Sequence, residues 1–199
     1  MDDNQKNVLE IAKIFDALGF DWFLGGSLAS ALYGVPRATL DADLVARIRK
    51  PDVPDLIAAL GEDWYVSEEA VAAAIESCGS FNLINLDTAL KIDVFIPKRR
   101  RFEKSQFART RMASFSETDP SRIPVCSPED IVIAKLDWYR LGGEISERQW
   151  SDVVGVLRFG GQSLEKDVMS ANADELGLED LLEKAILEAA NWSLGDLSE

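Results

Sequence analysis

The chain contains no histidine, and this absence excludes several kinds of chemistry. Serine–histidine–aspartate triads, cysteine–histidine pairs and zinc sites built on imidazole all need that side chain. Nucleases that depend on a catalytic histidine are excluded for the same reason. Acid–base chemistry in this protein must therefore fall to aspartate, glutamate, lysine or tyrosine.

Cysteine and long apolar runs are also scarce. Cys78 and Cys126 are the two cysteines, and their separation fits neither a zinc knuckle nor a disulfide framework. We expect two free, buried thiols in a reducing cytosol. No run of about 18 apolar residues is present, and the first residues, MDDNQKN, are acidic and polar. The sequence thus predicts a cytoplasmic protein without a membrane partner.

Positive charge is in short supply: 21 Lys and Arg stand against 35 Asp and Glu, and the formal net charge is -14. Such a chain is not expected to bind nucleic acid generally, because phosphate contacts need basic side chains. An acidic surface suits a cationic small substrate. One basic cluster stands out, and it is either a solvated loop or a patch that steers a polyanionic substrate. Its members are Lys98, Arg99, Arg100, Arg101, Lys104, Arg109 and Arg111.

Length and periodicity predict an α/β (α+β) protein with one main domain. The 199 residues, 47% of them hydrophobic, suffice for a sizeable core. Helical spacing over 7–18 precedes an apolar run at 21–24, and alternation over 90–96 gives the clearest strand. Beyond residue 115 the pattern is mainly helical. We therefore expect a core domain over 1–117 and a helical C-terminal region over 118–199 that packs on it.

A turn between a predicted strand and a predicted helix contains Gly25, Gly26 and Ser27. The first turn of a helix leaves backbone N–H groups without intrahelical partners, and its positive end attracts anions. Glycine lets an anion approach the backbone closely, and Ser27 adds a hydroxyl. The turn is therefore either an anion-binding site or ordinary turn chemistry before a helix.

Asp41 and Asp43 follow in the stretch RATLDADL, which we expect to be extended over 39–47. Residues two apart on a strand point to the same face. Two carboxylates that share a site repel each other unless a cation or a proton joins them. With oxygen ligands only, the natural cation is Mg²⁺. The alternative is that both aspartates lie on the wet face of an edge strand.

Asp93 is the third acidic residue of interest, in the stretch LKIDVFI. The alternation assigns Ile92 and Val94 to a buried face and places Lys91 and Asp93 on the other face. A neighbouring strand could bring Asp93 to the other two aspartates. Otherwise Asp93 is a solvent-facing strand residue.

Together the three motifs, GGS, then DADL, then IDVF, resemble the nucleotidyltransferase superfamily of the DNA polymerase β type. The stretch RATLDADL is similar to the branch that contains bacterial AbiEii-like toxins. The motifs cover Phe23 to Ile96, and the helix SPEDIVIAKLDWYR and Asp152 match more loosely. The resemblance implies a mixed β-sheet flanked by helices.

The resemblance also implies a reaction, namely two-metal phosphoryl transfer from a nucleoside triphosphate such as ATP to a hydroxyl, with release of pyrophosphate. By this likeness Asp41 and Asp43 hold Mg²⁺, or Mn²⁺ in its place. Asp93 binds the second metal ion and helps to deprotonate the acceptor. Gly25, Gly26 and Ser27 bind the nucleotide phosphates. Such chemistry depends mainly on positioning and charge neutralisation, and it needs no histidine.

Two basic residues complete the predicted nucleotide site. Arg37 precedes the aspartate pair and either reaches a phosphate or the acceptor, or is a surface residue after a proline loop. Lys135 lies on a predicted helix where AbiEii-like relatives carry a functional lysine. The acid that accompanies this lysine in those relatives is represented here by Asp137 or Asp152.

The resemblance leads to a first hypothesis, a nucleotidyltransferase that acts on an RNA end or a protein hydroxyl. A toxin–antitoxin system with a cognate antitoxin is one setting for such an enzyme. A second hypothesis is an inactive nucleotide-binding or partner-binding module with the same fold. A third keeps the enzyme but makes the acceptor a small cationic molecule of the aminoglycoside kind.

Overall fold

The computed structural model describes residues 3–34, 41–115 and 121–191. Its first part contains both helices and strands, and within the described ranges only helices follow the last strand. The elements are α1 Asp3–Ala17, β1 Trp22–Gly25, α2 Gly26–Tyr33, β2 Ala42–Ala46, α3 Val53–Leu60, β3 Trp64–Tyr65, α4 Glu68–Ser77, β4 Ser80–Asn85, β5 Lys91–Phe95, α5 Arg101–Gln106, β6 Arg111–Ala113, β7 Ile123–Val125, α6 Pro128–Leu141, α7 Glu147–Gly160, α8 Lys166–Leu176 and α9 Glu179–Asn191.

The chain divides into two compact units. The first comprises Met1–Leu28 with Ala38–Cys126, and the second comprises Ala29–Arg37 with Ser127–Glu199. The first unit carries the sheet and the second is helical, so the predicted α/β class with a helical C-terminal part is confirmed. The predicted domain limit at residue 117 stays a prediction.

The described strands form one mixed, seven-stranded sheet in the order β3-β4-β5-β2-β1-β7-β6. β2 is antiparallel to β1 and parallel to β5. Because β2 lies in the middle of the sheet, the alternative that Asp43 belongs to an edge strand is wrong. β2 begins at Ala42, so Asp41 lies just before the strand and not within it.

Alternating burial fixes which side chains of β2 and β5 face the core. Ala42, Leu44, Ile92 and Val94 are fully buried. A slip by one residue would expose this apolar set, so the pattern holds the register. Asp43 and Asp93 are consequently left on the opposite, half-buried face.

α1 packs against the start of β1. The rings of Phe15 and Trp22 meet edge to face, with their centroids 6.0 Å apart. The indole Nε1 of Trp22 donates a hydrogen bond to Asp16 Oδ1 at 2.8 Å. A buried aromatic residue whose N–H has a partner anchors a strand well, since neither its apolar nor its polar part is left unsatisfied.

Two elements differ from the expectation. α5 forms within the basic cluster, where Arg100 Nε donates to Glu103 Oε1 at 2.8 Å and supports the first helical turn. β7 contains Pro124, a residue that weakens any sequence signal for a strand because it cannot donate a ladder hydrogen bond. The alternation over 108–115 predicts a strand there, and the structure has the shorter β6.

α6, the first long helix of the second unit, begins where its cap predicts. Ser127 Oγ accepts a hydrogen bond from the backbone N–H of Asp130 at 3.2 Å, and Pro128 occupies the first turn of α6. Within the described ranges no helix is both long and apolar enough to cross a membrane. Among the described residues Cys78 and Cys126 form no disulfide, as predicted; Cys126 is buried, but Cys78 is only half-buried.

Candidate functional site

Gly26 brings the β1–α2 turn into direct contact with Asp43. Its φ is +58°, a left-handed conformation that glycine adopts without steric cost. A Cβ at this position would lie 1.7 Å from Asp43 Oδ2 and 2.5 Å from Asp43 Cγ. The carboxylate of Asp43 therefore occupies the space that any side chain at residue 26 would need. Gly25 is less constrained, because its nearest neighbours would be 3.8 Å from a Cβ.

The same turn starts α2, which runs from Gly26 to Tyr33. The first backbone N–H groups of a helix lack intrahelical acceptors, and the helix dipole adds positive potential there. The carboxylate of Asp43 lies beside this positive end. Ser27 belongs to the first turn of α2 and is half-buried. The predicted anion-binding turn and the predicted cation-binding carboxylate are thus neighbours.

The register of β2 and β5 places Asp93 beside Asp43. Asp43 and Asp93 are direct partners across the parallel β2–β5 pair. Adjacent strands are about 4.8 Å apart, and both side chains leave the sheet on the same face. Asp41, exposed at the entrance to β2, has the same parity as Asp43. The two motifs, which sequence reasoning brought together only if their strands are neighbours, therefore meet at one place in the sheet.

Lys91 lies on this face as well and binds Asp93. Its Nζ donates to Asp93 Oδ1 at 2.9 Å and to Asp93 Oδ2 at 2.8 Å. The hydrogen bond to Asp93 raises the pKa of Lys91, burial opposes that rise, and the charges of Asp93, Asp41 and Asp43 add to it. All three carboxylates thus act on one ammonium group. Sequence reasoning gave the face of Lys91 but not its partner.

The contact between Lys91 and Asp93 limits how the predicted metal site can be built. In the part of the chain that the structure describes, no group of three or more Asp, Glu, Cys or His side chains is arranged to hold a metal ion. Asp93 is held by Lys91 instead. Asp41 and Asp43 still supply the oxygen donors that Mg²⁺ prefers, since this ion takes one or two carboxylates together with substrate phosphates. The pair of donors at the start of β2 therefore fits Mg²⁺ chemistry, and metal binding stays a prediction.

Lys135 belongs to the second unit and has its own partners there. Its Nζ lies 2.8 Å from Asp152 Oδ2 and 3.2 Å from Gln149 Oε1, so α6 and α7 are joined by this contact. The side chains of Lys135 and Asp152 are only 7% and 9% exposed. The acid beside Lys135 is Asp152 rather than Asp137. A nucleotide-binding role for Lys135 stays a prediction, and Arg37 lies outside the described residues.

The basic cluster has contacts at the other end of β2. Arg47 follows β2, and its Nη2 donates to the backbone carbonyl of Lys104 at 3.3 Å. The guanidinium of Arg47 also stacks on the ring of Phe107, 3.8 Å from the ring centroid. These contacts hold the α5 segment near the end of β2 that is remote from Asp43. We therefore do not assign Lys104 to the acidic site.

Comparison with known proteins identifies the architecture. No family model and no curated protein matches the sequence. The solution structure of the antibiotic-resistance factor ANT(2'')-Ia aligns over 94% of this chain and 97% of its own, with 18% identity and a TM-score of 0.54. The chain has the nucleotidyltransferase fold. The fold expected from the three motifs is therefore confirmed.

Two further structures share the fold. A crystal structure of ANT(2'')-Ia with adenylyl-2''-tobramycin covers 85% of this chain and 96% of its own, at 15% identity and a TM-score of 0.54. An antigenic nucleotidyltransferase-like protein from Paracoccidioides brasiliensis covers 93% of each chain, at 16% identity and a TM-score of 0.52. The AbiEii-like branch is not among these similarities.

Proposed function

We propose that this protein transfers a nucleoside monophosphate from a nucleoside triphosphate to a hydroxyl group and releases pyrophosphate. The observation that carries the proposal is the juxtaposition of Gly26, Asp43 and Asp93 in a nucleotidyltransferase fold. This arrangement sets an anion-binding helix end beside a cluster of carboxylates. Phosphoryl transfer needs both, because the reaction is catalysed largely by positioning and by charge neutralisation.

The phosphate side of the proposed site is the β1–α2 turn. The backbone N–H groups of Gly26 and Ser27 bind the terminal phosphates, and the glycine permits their close approach. Ser27 adds a hydroxyl donor. Arg37 and Lys135 are further proposed contacts to the nucleotide, on the strength of the motif resemblance alone.

The acidic side binds the metal ion and activates the acceptor. Asp41 and Asp43 would hold Mg²⁺, or Mn²⁺ in its place, and the ion would supply positive charge against the phosphates. Asp93 accepts the proton of the acceptor hydroxyl. The acceptor oxygen forms a bond to the α-phosphorus, and the bond from that phosphorus to the bridging oxygen of pyrophosphate breaks.

We propose a small cationic molecule with hydroxyl groups as the acceptor. The formal net charge of -14 favours a cation over an RNA end. A relative in fold is described with adenylyl-2''-tobramycin, an adenylylated aminoglycoside. An RNA or protein hydroxyl, with a cognate antitoxin as partner, is the second candidate, and the RATLDADL motif supports it.

The experiment is a transfer assay with the full chain and Mg²⁺. Each α-labelled nucleoside triphosphate is incubated with aminoglycosides, total RNA or a protein lysate, and labelled acceptor and pyrophosphate are measured. We expect labelled aminoglycoside with one pyrophosphate per transfer. Asp43→Asn should lower the rate by about 100-fold or more, because loss of one charge-stabilising group at such a site typically has that effect.

The assay also separates the alternatives. Labelled RNA or protein without labelled aminoglycoside would replace the proposed acceptor by the second candidate. A triphosphate that raises the melting temperature but yields no pyrophosphate with any acceptor would identify an inactive binding module. Full activity in both Asp41→Asn and Asp43→Asn would refute the assignment of the site.

A further inference from the structure

Lys91 places a permanent positive charge inside the proposed metal site. Its ammonium contacts both oxygens of Asp93, at 2.8 and 2.9 Å, and feels the charges of Asp41 and Asp43. The pair is substantially shielded from solvent, with 38% of the Lys91 side chain and 19% of the Asp93 side chain exposed. The contact is therefore a built part of the site and not a fully exposed surface ion pair.

The contact between Lys91 and Asp93 changes the net charge that a metal ion has to neutralise. The carboxylates of Asp41, Asp43 and Asp93 together carry three negative charges. When the ammonium of Lys91 is included, the net charge of these four side chains is -2. One divalent cation neutralises two charges. A second divalent cation would have to share the oxygens of Asp93 with an ammonium group and would meet its repulsion.

We propose that Lys91 takes the place of a second metal ion, so that this site binds one divalent cation, on Asp41 and Asp43. The inference rests on the proposed function, because it concerns the metal site of the proposed reaction. Lys91 is a positioning residue in this scheme. It holds the carboxylate of Asp93 in a fixed orientation through hydrogen bonds to both carboxylate oxygens.

Strand geometry explains why Lys91 reaches Asp93. Lys91 and Asp93 are two residues apart on β5, so their side chains leave the sheet on the same face. The parallel β2 strand brings Asp43 beside Asp93 on that face. Lys98, which follows β5, is exposed and lies beyond the end of the strand. It therefore serves as a matched control.

The experiment counts bound metal ions directly. The full chain is titrated with Mn²⁺ in the presence of a non-hydrolysable triphosphate analogue, and free Mn²⁺ is measured by electron paramagnetic resonance. With one analogue per chain we expect a total of one ion per complex, held by Asp41 and Asp43 together with the phosphates of the analogue. Lys91→Met should bind one ion more, whereas Lys91→Arg and Lys98→Met should match the wild type. Lys91→Gln repeats the test if the methionine variant melts early.

The outcomes distinguish this inference from the function on which it rests. Two ions on the wild type, or an unchanged count in both Lys91→Met and Lys91→Gln, would overturn the role of Lys91. In a titration without the analogue, loss of Mn²⁺ binding in Asp43→Asn would still support the proposed metal site. If Asp43→Asn bound Mn²⁺ as the wild type does, the metal site itself, and with it the inference, would be refuted.

Discussion

At Gly26 the proposed site has no space for a side chain. We expect Gly26→Ala to lower the transfer rate by about 100-fold, because displacement of a reacting group by about 1 Å can have that effect. The added Cβ would fall 1.7 Å from Asp43 Oδ2 and must push the carboxylate aside. The measurement is the rate of pyrophosphate release at saturating nucleotide.

Gly19→Ala is the control for this substitution. Gly19 has a φ of +70°, similar to that of Gly26, but a Cβ there would meet no atom within 4 Å. Both variants should lose about 1–2 kcal/mol of stability from the left-handed backbone. Equal activity in the two variants would show that the contact between Gly26 and Asp43 has no part in catalysis.

Individual site residues were predictable to different degrees. The acids Asp41, Asp43 and Asp93 could be selected because their motifs and spacing are visible in the sequence. The contact of Lys91 with Asp93 could not be selected, since strand parity gives the face of a side chain but not the rotamer or the partner. The distance between Gly26 and Asp43 also depends on the β1–β2 register, which the sequence does not state.

The α6–α7 pair offers a test of Lys135. Its buried contact with Asp152 predicts that Lys135→Met lowers the free energy of unfolding by about 3 kcal/mol, because a buried carboxylate loses its ammonium partner. Urea unfolding measures the change. Lys166→Met, at an exposed lysine of α8, should change stability little.

The same variants examine the predicted nucleotide role of Lys135. The double variant Lys135→Met with Asp152→Leu should recover part of the lost stability, since it removes both charges. If Lys135→Met weakened nucleotide binding while its stability stayed at the wild-type value, the contact with Asp152 would be secondary to a role in binding. A loss of stability with unchanged nucleotide affinity would exclude Lys135 from the nucleotide site.

Secondary structure was predictable where the periodicity was long or the caps were strong. α6 and β5 are examples, because Ser127 and Pro128 mark the start of the helix and strict alternation marks the strand. β7 escaped prediction because Pro124 interrupts a strand of three residues. α5 escaped because its first turn depends on the pairing of Arg100 with Glu103, within a segment that reads as a charged loop.

The net charge of the molecule affects the rate at which it associates with a charged substrate. With a formal net charge of -14, a cationic acceptor is attracted and its association is accelerated. We expect kcat/KM for an aminoglycoside to fall several-fold as salt rises from about 0.05 M to about 0.5 M, because the Debye length shortens below about 10 Å. Steady-state rates at both salt concentrations provide the measurement.

A neutral acceptor is the control for the salt experiment. An uncharged sugar alcohol that accepts the nucleotide, even slowly, should show a much weaker dependence on salt. Equal salt dependence for the two acceptors would place the effect on the nucleotide and not on the acceptor. Such a result would remove the charge argument for a cationic acceptor.

The overall architecture was accessible from the motifs because their order follows the order of the strands. GGS ends β1, DADL enters β2 and IDVF lies in β5, and these three strands are adjacent in the sheet. No matching family model or curated protein supplied that information. The acceptor was not accessible, since acceptor recognition does not follow from the position of the three motifs.

The close approach of Gly26 to Asp43 also limits which amino acids the gene can encode at these two positions. A gene library randomised at codon 26 alone should return active clones that encode only glycine, because every other side chain begins with a Cβ in the space of Asp43 Oδ2. When codon 43 is randomised with it, no compensating pair should restore activity, since a shorter residue 43 removes the carboxylate. The two codons thus constrain each other, and neither can drift while selection for transfer persists.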